Sequence, residues 1–178
     1  MGLYGNPELT GKERFFDKND VIVSKTDTKG IITYANRTFA HIAGISARDV
    51  VGKNHNVIRH PHMPRCIFKF LWDTIATGQE VFAYVINRAV NGDHYWVLAH
   101  VTPSFDLSGN IVGYHSNRRV PDKEIVTSSI IPLYDSLLKL EQSYASPKEG
   151  MNAAMAEVVK LIESSGKEYN HLILSMGG

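Results

Sequence analysis

The sequence predicts an α+β fold: a five-stranded antiparallel sheet with helices on one face, followed by C-terminal amphipathic helices. Three observations carry the prediction. Two short β-branched runs lie near the start, three longer runs joined by glycine-containing turns lie in the middle, and helical spacing dominates the last third. This order divides the chain into a leader or cap over residues 1–19, a domain over 20–121 and a helical extension over 122–178.

Val21-Ile22-Val23 and Gly30-Ile31-Ile32-Thr33-Tyr34 flank Asp27-Thr28-Lys29-Gly30, which reads as a hairpin. Phe39, Ile42 and Ala43 share one helical face between Asn36 and Gly44, and Ser46, Asp49 and Gly52 suit another short turn or helix. Asn54 to Pro64 is dense in histidine, asparagine and proline and predicts a connector of one-turn helices. Pro64 then suits a first helical position, with Ile67, Leu71 and Ile75 on one face until Gly78.

Strands follow over Val81–Val90, His94–Ser104 and Ile111–Arg119, with Asn91-Gly92-Asp93 marking a tight hairpin because both Asn and Gly tolerate positive φ. Beyond Pro121, Leu133, Leu137, Leu140 and Tyr144 recur at helical spacing up to Ser146-Pro147. Met151, Met155, Val158 and Ile162 form a second series, which resumes at Tyr169, Leu172 and Met176 after the Ser164-Ser165-Gly166 break.

The 178 residues, 43% hydrophobic and 21% charged, suffice for one sizeable core. A net charge of +1, from 19 basic and 18 acidic residues, offers no general attraction to nucleic acid or anionic membranes. Cys66 is the single cysteine, so an intramolecular disulfide and a cysteine-rich zinc site are excluded, and a cytoplasmic setting is expected. No run approaches about 20 uninterrupted apolar residues, so neither signal peptide nor direct membrane insertion is expected. Neither a Gly-x-Ser-x-Gly elbow, a phosphate-cradling glycine loop nor a zinc-protease histidine pair occurs, so no enzyme activity is expected.

Three strings carry a resemblance. Asp27-x-x-Gly30-x-Ile32-x-Tyr34-x-Asn36 comes first, then Gly52-x-x-His55-Asn56-x-x-Arg59-His60-Pro61-x-Met63-Pro64. Asn87-Arg88-x-x-Asn91-Gly92-Asp93-His94-Tyr95-Trp96 completes the set. Together, over roughly Asp20 to Pro121, they resemble the PAS domain of aerotaxis receptors. That resemblance implies a PAS fold that binds FAD and reports redox state or oxygen for energy taxis. It also implies a chemotaxis transducer or other signalling protein as partner. The helical tail lies outside the resemblance: its first helix is expected to pack on the domain and add dimer contact in a homodimer, and its second to meet the partner. The chain departs from the family pattern at His62, where an aspartate is usual, and at Val81, where a tryptophan is usual.

The family motif implies that Arg59 and His60 bind the cofactor, with Asn56 and Asn36 as nearby polar contacts and Trp72, Asn87 and Trp96 walling or fixing the ring. Taken singly, Arg59 could instead pair with an acid, His60 could cap a helix, and both tryptophans could be core. Haem is the rival cofactor, held through His55, His60 or His62, whereas their spacing matches no familiar zinc pattern. The same scaffold would also serve a PAS binder of a small ligand or a cofactor-free interaction module. Light-sensing flavin PAS domains carry an adduct-forming cysteine at the end of Gly-x-Asn-Cys, which is Gly52-Lys53-Asn54-His55 here. Cys66 lies on a different element.

Overall fold

The computed structural model describes residues 8–176. The first seven residues of the expected leader lie outside that range. β1 (Ile22–Thr26) and β2 (Ile32–Ala35) form the expected hairpin. Its turn is fixed by the Asp27 carboxylate, whose Oδ1 accepts from the Lys29 and Ile31 N–H groups at 2.8 and 2.9 Å. Gly30 supplies the positive φ of 78°.

Next come α1 (Arg37–Ala43), α2 (Ala47–Val50), a 3-10 turn (His55–Ile58) and α3 (Arg65–Ala76). β3 (Val81–Arg88), β4 (His94–Phe105) and β5 (Ile111–Arg119) complete the sheet in the order β2-β1-β5-β4-β3, all pairs antiparallel. Pro64 caps α3 with extended ψ of 137° rather than opening it, so the helix starts one residue later than expected. β3 likewise stops at Arg88, because the Val90 N–H turns away to bond the Ala43 carbonyl at 2.9 Å.

Cross-strand register sorts the sheet into two faces. Ile22, Ser24 and Thr26 of β1 share the inner face with Tyr114, Ser116 and Arg118 of β5. Ala99 and Val101 of β4 continue it to Ala83 and Val81 of β3, and Asn87 pairs with Tyr95 on the same side. α1 to α3 cover this face, and Ile22, Phe39, Ile75 and Val81 between them are fully buried.

The C-terminal segment forms α4 (Lys123–Ile125), a π-helical segment (Val126–Ile130), α5 (Ile131–Gln142), α6 (Pro147–Ser165) and α7 (Tyr169–Ser175). α5 and α6 touch backbone to backbone at Gly150, where an added Cβ would lie 2.1 Å from the Glu141 carbonyl oxygen. These helices run beside α3 and the free edge of β3. The leader pairs with the start of β4: Arg14 N–H bonds the His94 carbonyl at 2.7 Å, and His94 N–H bonds that of Lys12 at 2.9 Å. Among the described residues no helix is long and apolar enough to cross a membrane.

Candidate functional site

Between α3 and the inner face of the sheet lies a narrow cleft of about 60 Å³. α3 contributes Phe68, Leu71, Trp72 and Ile75, while the sheet contributes Val85, Ala99, Val101 and Tyr114 as apolar floor. Among these are set Ser24, Thr26, His55, Asn87, Ser116 and Arg118. Strand parity accounts for the polar members carried by the sheet, since each occupies an inward position of its strand, and the 3-10 turn supplies His55.

Arg118 is the centre of this polar group and is only 2% exposed. Its Nε donates to Ser116 Oγ at 3.0 Å, one Nη donates to Ser24 Oγ, and the same nitrogen lies 3.3 Å from His55 Nε2. A guanidinium only donates, so His55 Nε2 accepts and the imidazole proton sits on Nδ1. Burial, reinforced by the adjacent Arg118 charge, pushes the His55 pKa down to about 3, so this histidine is neutral. Burial also draws Arg118 down to about 10, which still leaves a cation at neutral pH. The described residues give it no carboxylate partner.

Among the described residues, four buried polar atoms on the inner face lack a hydrogen-bond partner: Arg118 Nη1, Asn87 Nδ2, Thr26 Oγ1 and Tyr95 OH. Buried donors are almost always satisfied, and each exception costs roughly 1–3 kcal/mol. Three of the four residues, Arg118, Asn87 and Thr26, line the cleft, so their unused donors border its free space.

A second cavity, a groove of about 740 Å³, lies outside the cleft between the connector and α5. Asn56, Arg59, His60 and Arg65 line it on one side and Leu138, Glu141, Gln142 and Tyr144 on the other. The Arg59 guanidinium rests 4.8 Å above the Phe68 ring, and Phe68 lines the cleft, so Arg59 stands between the two cavities. Burial and the neighbouring Arg65 charge lower the Arg59 pKa, while Glu141 opposes them.

The residues singled out by motif therefore separate into distinct places. Trp72 and Asn87 line the cleft, whereas Asn56, Arg59 and His60 line the groove. Asn36 is a structural clasp: its Oδ1 accepts from the N–H groups of Phe39 at 2.9 Å and Val23 at 3.1 Å, and its Nδ2 donates to the Val21 carbonyl at 2.8 Å. Trp96 pairs with Ile86 on the opposite face of the sheet, 6.0 Å from the Tyr134 ring of α5.

His60 is buried against His62 and His94, with ring centroids 5.0 and 5.8 Å away, and its Nδ1 accepts the His62 N–H. Burial and these neighbours push its pKa down to about 4. Among the described residues, no group of three ligating side chains is placed to hold a metal ion. His62 stands on the rim of a cavity of about 210 Å³ with His60, and Val81 is fully buried in β3. Cys66 is buried in the first turn of α3 and does not line the cleft.

The PAS fold family matches residues 12–116 of the chain. The chain is a PAS domain with helices appended.

The match extends to the Escherichia coli aerotaxis receptor, 38% identical over 136 residues, which is 76% of this chain and 26% of the receptor. This PAS chain thus spans about a quarter of that receptor's length. Two solved structures share the fold. One is the light state of the blue-light photoreceptor aureochrome1 LOV, with a TM-score of 0.54 at 24% identity, covering 69% of this chain and 91% of that one. The other, reported as "Flavin Analogue Sheds Light on Light-Oxygen-Voltage Domain Mechanism", has a TM-score of 0.51 at 18% identity, covering 69% and 86%.

Ser24, Ser116, Arg118 and the cleft position of His55 escape a reading by motif. The signal that could have found them is alternation. Tyr114, Ser116 and Arg118 share parity on β5, and polar residues at successive inward positions of a strand call for a polar partner.

Proposed function

We propose that this PAS domain is a redox or oxygen sensor that holds FAD, the ring in the cleft and the phosphoryl arm in the adjoining groove, and that signals by contact with a chemotaxis transducer. The observation that carries this reading is the array of unpartnered buried donors around Arg118 and Asn87, on the inner face of the sheet. A flavin ring presents carbonyl and imine acceptors along one edge, which is the complement of that array. The groove next to the cleft, lined by Arg59, Arg65 and Asn56, supplies the cationic and donor groups that a pyrophosphate requires and a ring alone does not. Similarity to an aerotaxis receptor supports the signalling role.

The donor chemistry fits the group, and the free volume sets a condition. Ligand pockets commonly run to about 300–1,000 Å³, whereas the cleft holds about 60 Å³. A ring therefore enters only as Phe68, Leu71 and Trp72 of α3 draw away from the sheet. When bound, the flavin supplies reversible electron uptake. Arg118 holds a positive charge at the ring's polar edge, and His55, neutral and fixed through Nε2, keeps that guanidinium in place. Asn87 adds an amide donor whose partner changes with the ring's donor and acceptor pattern.

The test is competitive loading of stripped protein. FAD is expected to bind more tightly than FMN or riboflavin, because only FAD reaches far along the groove, and Arg59→Ala is expected to narrow that difference. Equal affinity for FAD and riboflavin in the unaltered protein contradicts use of the groove. Uptake of haemin with exclusion of FAD contradicts the flavin reading altogether.

A further inference from the structure

We infer that Glu141 is a latch through which opening of the cleft displaces the C-terminal helices. The inference rests on the reading that the cleft takes a ring-sized ligand, and it adds the device by which that event leaves the domain.

Glu141 is on α5 and is only 8% exposed. Its Oε1 accepts from the Cys66 N–H at 2.8 Å and its Oε2 from the Arg65 N–H at 3.2 Å. These are first-turn amides of α3, which have no partner within their own helix. Pro64 precedes them and offers no side-chain acceptor. The cap of α3 therefore comes from α5, about 75 residues along the chain.

The same C-terminal helices are tied by other bonds to β3, across the cleft from α3. Tyr134 of α5 donates its hydroxyl to the Tyr84 carbonyl at 2.5 Å. Asn170 of α7 accepts the Phe82 N–H at 2.9 Å and donates to the Glu80 carbonyl at 3.0 Å, standing in for a neighbouring strand. α3 and the sheet, of which β3 is an edge strand, are the two walls that a ring must separate. Helices bonded to both walls cannot keep both sets of bonds once the walls part.

The Glu141 set is the one that yields. Its carboxylate and Arg65 border the 740 Å³ groove, where water can take over the Arg65 amide and solvate the freed carboxylate. Tyr134 is buried beneath α5 at 5% exposure, where a broken bond finds no replacement. The backbone approach of α6 to the Glu141 carbonyl at Gly150 then transmits the shift of α5 to α6.

The test is amide hydrogen exchange on the full 178-residue chain. Loading with FAD is expected to raise exchange at Arg65, Cys66 and through α5 by about tenfold or more. In Glu141→Ala the Arg65 and Cys66 amides exchange fast whether or not FAD is bound, and α5 no longer responds to loading. Ala99→Leu, which fills the cleft from the sheet side, is expected to release the same amides without any cofactor, and Ala99→Val does so to a smaller extent if the larger residue prevents folding. FAD binding with α5 exchange unchanged overturns the latch. So does an undiminished α5 response in Glu141→Ala, or protection of Arg65 and Cys66 unchanged in both Ala99 variants. If FAD does not bind yet the Ala99 variants release the amides, the latch stands and the flavin reading falls.

Discussion

Replacing Asn36 by alanine separates a structural role from a cofactor role at a position where the family motif implied a polar contact near the cofactor. The side chain makes three hydrogen bonds, two as acceptor and one as donor, that fasten the start of α1 to β1. Loss of the helix cap costs about 0.5–2 kcal/mol. The bonds to the Val23 amide and Val21 carbonyl add about 0.5–1.5 kcal/mol each. Allowing for partial replacement by water, the sum is about 1–4 kcal/mol. Asn36→Asp keeps the acceptors and loses the donor, and turns a carboxylate toward the Val21 carbonyl, so about 1–2 kcal/mol is expected there. Urea unfolding followed by circular dichroism measures both, with the cofactor content of the folded fraction recorded alongside. A loss below about 0.5 kcal/mol together with a fall in bound flavin would refute this reasoning, because it would make Asn36 a cofactor contact.

The remaining predictions concern the cleft and its supports. Arg118→Met is expected to abolish flavin retention while the protein still folds, since a buried cation without a carboxylate partner is replaced by an apolar side chain of similar length; retained flavin would remove Arg118 from the site. His55 has its folded pKa lowered to about 3, against about 6.5 when unfolded, so its contribution to stability is complete above pH 6.5 and is lost as pH falls toward 3. That loss reaches at most about 1.4 kcal/mol per pH unit, and denaturation midpoints from pH 7 to pH 5 should fall less steeply in His55→Gln. Gly150→Ala forces a Cβ into the Glu141 carbonyl and should cost about 1–3 kcal/mol, read as a lower melting temperature. Trp96→Phe should leave flavin content unchanged, because Trp96 lies on the far side of the sheet.

Much of the fold is written in local chemistry. Asp27 and Gly30 specify the first hairpin, and Asn91 with Gly92, whose φ is 94°, specifies the turn between β3 and β4. The start of α3 is less legible, because its cap is Glu141 from a distant helix rather than a neighbouring residue. The site divides along the same line. Trp72 and Asn87 line the cleft, but motif membership does not tell a ligand contact from a clasp, and Asn36 is bonded as a clasp.

Trp96 sits next in sequence to Tyr95, whose side chain is on the inner face, and the two-residue period of a strand sends Trp96 the other way. Arg118 carries no motif at all. Its role arises from the pairing of β1 with β5, which brings Ser24 opposite Ser116 and leaves the guanidinium among Ser24, Ser116 and His55. Alternation along β5 marks Ser116 and Arg118 as inward, but which residues they meet is a product of register between strands some 90 residues apart.

The most direct test of the flavin-sensor reading is the absorbance spectrum of the freshly purified protein before and after dithionite, with the released cofactor identified by chromatography. The expected result is an oxidised-flavin spectrum that bleaches on reduction and a released species that is FAD. A Soret band, or no chromophore even after reconstitution with FAD, would contradict it.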